Sequence, residues 1–136
     1  MKPQPMIAVN NVPASSDWYQ SLLGGYSDMD PDHPHRQEFD RVLCNGDIVL
    51  LLHSWGAEPE TAIDRLLADR NKAPVGHGVL LGFRCEDFEA ALLRVQDMKA
   101  EIVEDVDVNP DHSRSIFLRD PDGYTVKLDG PPQSSS

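Results

Sequence analysis

Phe83-Arg84-Cys85-Glu86-Asp87-Phe88-Glu89-Ala90-Ala91 joins an alternating apolar stretch to an amphipathic one with almost no loop between them. Upstream, Val79 to Cys85 reads as a strand with Leu81, Phe83 and Cys85 on one face. Asp87 is placed to cap a helix, and Phe88, Ala91, Leu92 and Val95 follow at the spacing of one buried helical face. Downstream, Glu101 to Glu104 reads as a short strand. Arg114 to Arg119 and Tyr124 to Asp129 read as two more, joined by Asp120-Pro121-Asp122-Gly123. That tetrad has Pro second and Gly last, as a type I turn prefers.

The first half repeats the order. Met6 to Asn10 is a short strand, and Val12-Pro13 opens a helix because Pro is tolerated in a first helical turn. Trp18, Tyr19, Leu22 and Leu23 lie at helical spacing as core, and Gly24-Gly25 ends the element. Tyr26 to Met29 reads as a short edge strand and Asp30-Pro31-Asp32-His33-Pro34-His35 as a loop. Gln37 to Cys44 and Asp47 to His53 are strands around Asn45-Gly46, a two-residue hairpin signal. The expected organisation is one α+β domain over 1–130, with module one at about 5–55, a linker at 56–76 and module two at about 77–129. A helix is expected within the linker, at Pro59 to Arg70, and a disordered tail at 131–136.

Three stretches resemble the vicinal oxygen chelate superfamily, of the glyoxalase and bleomycin-resistance type. They are Val12 to Gly24, Phe83 to Ala91, and Leu118-Arg119-Asp120-Pro121-Asp122-Gly123-Tyr124; Val108-Asn109-Pro110 is similar to the bleomycin-resistance-like members. The resemblance implies two tandem βαβββ modules forming a curved, incomplete barrel, and a homodimer. In catalytic members it also implies one divalent metal held by His and Glu on the first and last strands of the modules. Carried onto this chain, those positions fall at Gln4, Leu50, Leu80 and Lys127. None is a His or a carboxylate, the donors such an ion needs. Lys127 reverses the sign: at an effective dielectric of ~20 and ~4 Å, each unit pair is worth about 4 kcal/mol, and a divalent ion doubles it. No metal and no cofactor is therefore expected. A register error of two along a strand brings His77 or Asp129 into play, His77 only if a bulge turns it to the other face.

The net charge of −11 argues against nucleic acid and anionic lipid as partners. No apolar run reaches the ~20 residues of a membrane helix, and no secretory stretch is seen, so the cytoplasm is the expected compartment. Cys44 and Cys85 are expected to be reduced and to pack as small hydrophobes. The leading expectation is a metal-independent small-molecule-binding protein, not an enzyme, with a cationic or neutral aromatic ligand. Alternatives are a metal-dependent lyase, isomerase or dioxygenase, and a structural or regulatory dimer with a vestigial cavity.

Candidate ligand-binding residues are His53, Trp55, Arg84, His112, Arg114 and Tyr124. His53 and Trp55 end the last strand of module one, and an imidazole beside an indole can stack on a flat or cationic ligand. Arg84 shares a strand face with Leu80 and Gly82, and pairs with an anion or a local carboxylate. His112, Arg114 and Tyr124 are assigned to the last strands of module two. His33 and His35 read as exposed loop residues.

Overall fold

The computed structural model describes residues 2–55 and 79–132. The linker helix expected at 59–70, the position of His77 and the last four residues lie outside this set. The chain divides into two compact units, Met1–Val75 and Gly76–Ser136.

In the first unit the order is β1 (Met6–Val9), α1 (Val12–Leu23), β2 (Phe39–Cys44) and β3 (Asp47–Ser54). The sheet order is β1-β3-β2, with β1 parallel and β2 antiparallel to β3. Asn11 caps α1 by accepting the Ala14 N–H at 3.0 Å, and Gly24 closes it in the left-handed conformation at φ 64°. One face of α1, with Tyr19, Leu22 and the small Ser15 and Ser16, is buried, and α1 packs on β2 and β3. Tyr19 is fully buried, whereas Trp18 is only half-buried and meets the Tyr19 ring edge-on at 4.8 Å. The sheet side buried with it carries Ile7, Val9, Val42, Leu50 and Leu52.

Asn45 (φ 51°) and Gly46 (φ 82°) form the expected tight hairpin. The expected strand at Tyr26 to Met29 contracts to one antiparallel bridge, in which Tyr26 and Leu43 exchange both backbone hydrogen bonds. Ser27 beyond it turns inward, and its hydroxyl donates at 2.5 Å to the fully buried Asp40 carboxylate. Arg36 approaches the other Asp40 oxygen at 3.5 Å and ties the preceding loop to the sheet.

The second unit runs β4 (Leu80–Arg84), α2 (Phe88–Asp97), β5 (Glu101–Val108), β6 (Arg114–Arg119) and β7 (Thr125–Asp129), with sheet order β4-β7-β6-β5. This is the βαβββ order expected, and the chain as a whole is α+β with two mixed sheets. Asp87 caps α2 through the Ala90 N–H at 3.0 Å. Phe88, Ala91 and Val95 are buried, as are Leu81, Ile116, Leu118, Val126 and Leu128 on the sheet. The Asp120 carboxylate accepts from the N–H groups of Asp122 and Tyr124, and Gly123 sits at φ 92°, so the β6–β7 turn forms as read. Strand β5 is twice as long as expected. Its residues are exposed throughout, and an edge strand tolerates the Asp105 and Asp107 that lie beyond the expected end at Glu104.

Candidate functional site

Strand alternation gives the second unit's sheet one apolar face and one polar, open face. Across the ladders the open face has three rows: Leu80, Thr125, Arg119, Glu101; then Gly82, Lys127, Phe117, Glu104; then Arg84, Asp129, Ser115, Asp107. Lys127 is central. Its Nζ lies 3.4 Å from Asp129 Oδ1 and 5.9 Å from the centroid of the Phe117 ring. Beside it, a Cβ on Gly82 would meet nothing within 4 Å, so the floor there is open.

Beside Lys127 runs a chain of polar side chains that begins at Asp129 on the same face. Ser115 Oγ donates to Asp129 Oδ1 at 2.5 Å, and Asn109 Nδ2 donates to Ser115 Oγ at 2.7 Å. The same Asn109 amide donates to Ser113 Oγ at 3.0 Å, and Ser113 Oγ donates to Asp111 Oδ1 at 2.5 Å. One amide thus serves two serines, and each serine serves a carboxylate. Ser113 and Ser115 are buried, which shields the Asn109 and Ser115 bonds from competing water, whereas Asp111 is exposed. The Ser113 hydroxyl and then its backbone N–H hold the Asp111 carboxyl below its usual 3.8, and the Arg84 charge adds to this.

The expected site residues separate. Arg84 is on the open face, in the row of Asp129. Arg114 is on the opposite side: its guanidinium lies 4.8 Å from the centroid of the Phe88 ring and 2.6 Å from Glu89. There it lines a shallow cleft of about 310 Å³ with Glu86, Asp87, Phe88, Glu89, Pro131 and Pro132. A ligand cation at that ring meets a resident guanidinium. His112 and Tyr124 were assigned to strands, and the structure corrects both. His112 is exposed in the β5–β6 turn at φ 68°, a left-handed position, and Tyr124 is the last turn residue before β7.

In the first unit, His53 occupies the row of Ala8 and Phe39. Its Nδ1 lies 2.7 Å from the Ser54 carbonyl, and its ring is edge-on to Phe39 at 6.5 Å. Trp55 follows β3 and is half-buried. Cys44 and Cys85 are half-buried rather than in the core.

One metal position was miscounted. Leu50 is fully buried, on the side of Val42 and Leu52, and it is Leu51, opposite Met6, that takes the other face. The ladder skips a residue between Val42 and Leu43, pairing them with Leu50 and Ile48, so a count from Gly46 slips by one. The corrected set of Gln4, Leu51, Leu80 and Lys127 offers an amide, two alkyl chains and an ammonium. It does not fit a divalent ion. Among the described residues no cluster of three His, Cys, Asp or Glu fits one either.

Sequence reading weighed Lys127 only as an intruder at a metal position and passed over Asn109, Ser113 and Ser115 as a unit. The available signal was the alternation of Ser115, Phe117, Arg119 and Thr125, Lys127, Asp129 with Ile116, Leu118 and Val126, Leu128.

Among solved structures, the chain is similar to TioX from Micromonospora sp. ML1, at 15% identity over 96% of this chain and 98% of that one, with a TM-score of 0.70. It is similar to a lactoylglutathione lyase from Agrobacterium tumefaciens, at 16% identity over 96% and 92%, with a TM-score of 0.67. A glyoxalase/bleomycin resistance protein/dioxygenase family enzyme from Burkholderia phytofirmans PsJN gives 16% identity over 93% and 95%, with a TM-score of 0.70. At these identities the likeness shows the fold alone. No curated protein matches the chain. The sequence profile of the Glyoxalase/Bleomycin resistance protein/Dioxygenase superfamily matches residues 3–128, and the chain belongs to that superfamily.

Proposed function

We propose that this protein is a metal-independent small-molecule-binding member of the superfamily, with the open face of β4, β7 and β6 as the floor of its site. The observation that carries this reading is the side-chain chain Asn109–Ser115–Asp129–Lys127. It sets an ammonium beside a held carboxylate at the centre of the sheet, where catalytic relatives by resemblance hold a cation from solution. The hydrogen bonds hold the Asp129 carboxylate, and a pre-placed partner limits the freedom the neighbouring ammonium loses when a ligand arrives. Leu80 and Phe117 supply apolar surface on either side. In the first unit, His53, Phe39 and Trp55 offer a second aromatic surface.

The whole-chain charge of −11 favours a neutral or cationic aromatic compound reaching the protein. The protein acts in the cytoplasm as a homodimer. Its β5 edge carries Glu101, Glu104, Asp105 and Asp107, so two copies pairing there would oppose like charges, and the dimer uses another surface.

The test is an amide NMR screen of the full chain against a library of flat metabolites and antibiotics. The reading expects hits whose perturbations centre on Gly82, Phe117 and Lys127. A library that leaves those amides unmoved, or hits that bind only with added metal, overturns it.

A further inference from the structure

We infer that the second unit's open face recognises a ligand through an oxyanion, such as a carboxylate on a flat apolar body, with the Lys127 ammonium as its receptor. The inference rests on the small-molecule reading but replaces the charge preference drawn from the whole chain with the opposite one, drawn from the site itself.

The local charge differs from that of the chain. On β4, β7 and β6 the open face carries Arg84, Lys127 and Arg119 against one carboxylate, Asp129, with Asp111 of the β5–β6 turn within electrostatic reach of Arg84. Arg119 Nη1 donates to neutral oxygens, Thr125 Oγ1 at 2.6 Å and the Gly123 carbonyl at 3.4 Å. The acids Glu101, Glu104 and Asp107 sit at the β5 edge, opposite Arg119, Phe117 and Ser115. The sheet is therefore cationic toward β4 and acidic toward β5. Charges beyond about 8 Å are screened at physiological ionic strength, so a ligand atom at Lys127 responds to this local pattern more than to the distant acids.

Geometry supports a receptor rather than a closed ion pair. Asp129 Oδ1 already accepts the Ser115 hydroxyl at 2.5 Å, and the lysine contact at 3.4 Å is long for a charge-assisted bond. Three donors on an ammonium leave capacity for a second acceptor. Gly82 opens the space next to it, Leu80 is 58% exposed alongside, and Arg84 is one row away on the same face. A carboxylate at Lys127 thus has a second cation within the site and an alkyl surface for the body attached to it.

The experiment titrates labelled full-length protein with three probes of one shape: benzoate, benzamide and benzylammonium. Benzoate is expected to perturb the amides of Gly82, Phe117 and Lys127, with at least tenfold tighter binding than benzamide and no matching shift from benzylammonium. Lys127→Met should remove the preference for benzoate, while Lys127→Arg keeps it, with unchanged spectra elsewhere showing that both variants fold. If benzamide or benzylammonium binds the face as well as benzoate, or if Lys127→Met keeps the preference, this inference is wrong and the binding reading survives. If none of the three perturbs the face while other flat compounds do, the oxyanion assignment also fails. If nothing binds there, both readings fall together.

Discussion

Lys127 and Asp129 stand two residues apart on β7, on the same face, with Nζ and Oδ1 3.4 Å apart and Ser115 donating to the same carboxylate oxygen. The carboxylate is held by the buried Ser115 hydroxyl from the neighbouring strand on the same face, so its position does not depend on the lysine. Both side chains keep partial solvent contact, which weakens the Coulomb part. A double-mutant cycle with Lys127→Met and Asp129→Asn should give a coupling of about 0.5 kcal/mol in urea unfolding. Ser115→Ala should cost more, roughly 1 to 2 kcal/mol, because it leaves a shielded amide and carboxylate short of a partner. A Ser115→Ala cost smaller than the coupling would reverse this ranking.

The Asp111 carboxyl is held low chiefly by the Ser113 hydroxyl and backbone N–H. A carboxyl lowered by folding contributes stability above its unfolded value near 3.8, and that contribution is lost as pH falls through the lower folded value. Ser113→Ala should therefore raise the Asp111 titration midpoint toward 3.8, read by carbon-detected NMR. An unchanged midpoint would assign the shift to the backbone donor alone.

How much of this was legible in the sequence follows from which signals are local. The Val12-Pro13 helix start, the Asp87 cap, the Asn45-Gly46 hairpin and the Asp120 to Gly123 turn are each set by a few adjacent residues, and all formed as read; the Asn11 cap was passed over. The slip at Leu50 came from a bulge, which depends on how β2 pairs with β3 and leaves no mark on β3 alone. The length of β5 was hidden because acidic residues oppose strand propensity, yet an edge position lets them face water. The Asn109 network was hidden for another reason. Ser113, Ser115 and Asp129 are unremarkable polar residues until β6 and β7 lie side by side.

The corrected metal positions lead to a direct assay. Protein purified without chelator should carry far less than one equivalent of Zn, Ni, Fe or Mn by elemental analysis. Lys127→Glu replaces the ammonium with a donor but leaves Leu51 and Leu80 as alkyl groups, so it too should fail to retain stoichiometric metal. One equivalent surviving dialysis of the natural sequence would overturn the metal-independent reading.

Two glycines should respond in opposite ways to the same methyl group. At Gly25 an added Cβ would lie 2.4 Å from the Leu43 carbonyl oxygen and 2.9 Å from Cys44 Sγ. The first of these is backbone held in the Tyr26–Leu43 bridge, so it cannot swing aside. Gly25→Ala should destabilise by about 1 to 3 kcal/mol, as overpacking does. At Gly82 the added Cβ meets nothing within 4 Å, and a strand gains from losing glycine's unfolded-state freedom. Gly82→Ala should leave the melting temperature unchanged or slightly raised. It nevertheless raises the floor beside Lys127, and Gly82→Val raises it further, so ligand binding to the open face should weaken stepwise through the series. Stability and binding would then separate at one residue. A Gly82→Val variant that binds the hits of the NMR screen as tightly as the natural sequence would move the site off this face.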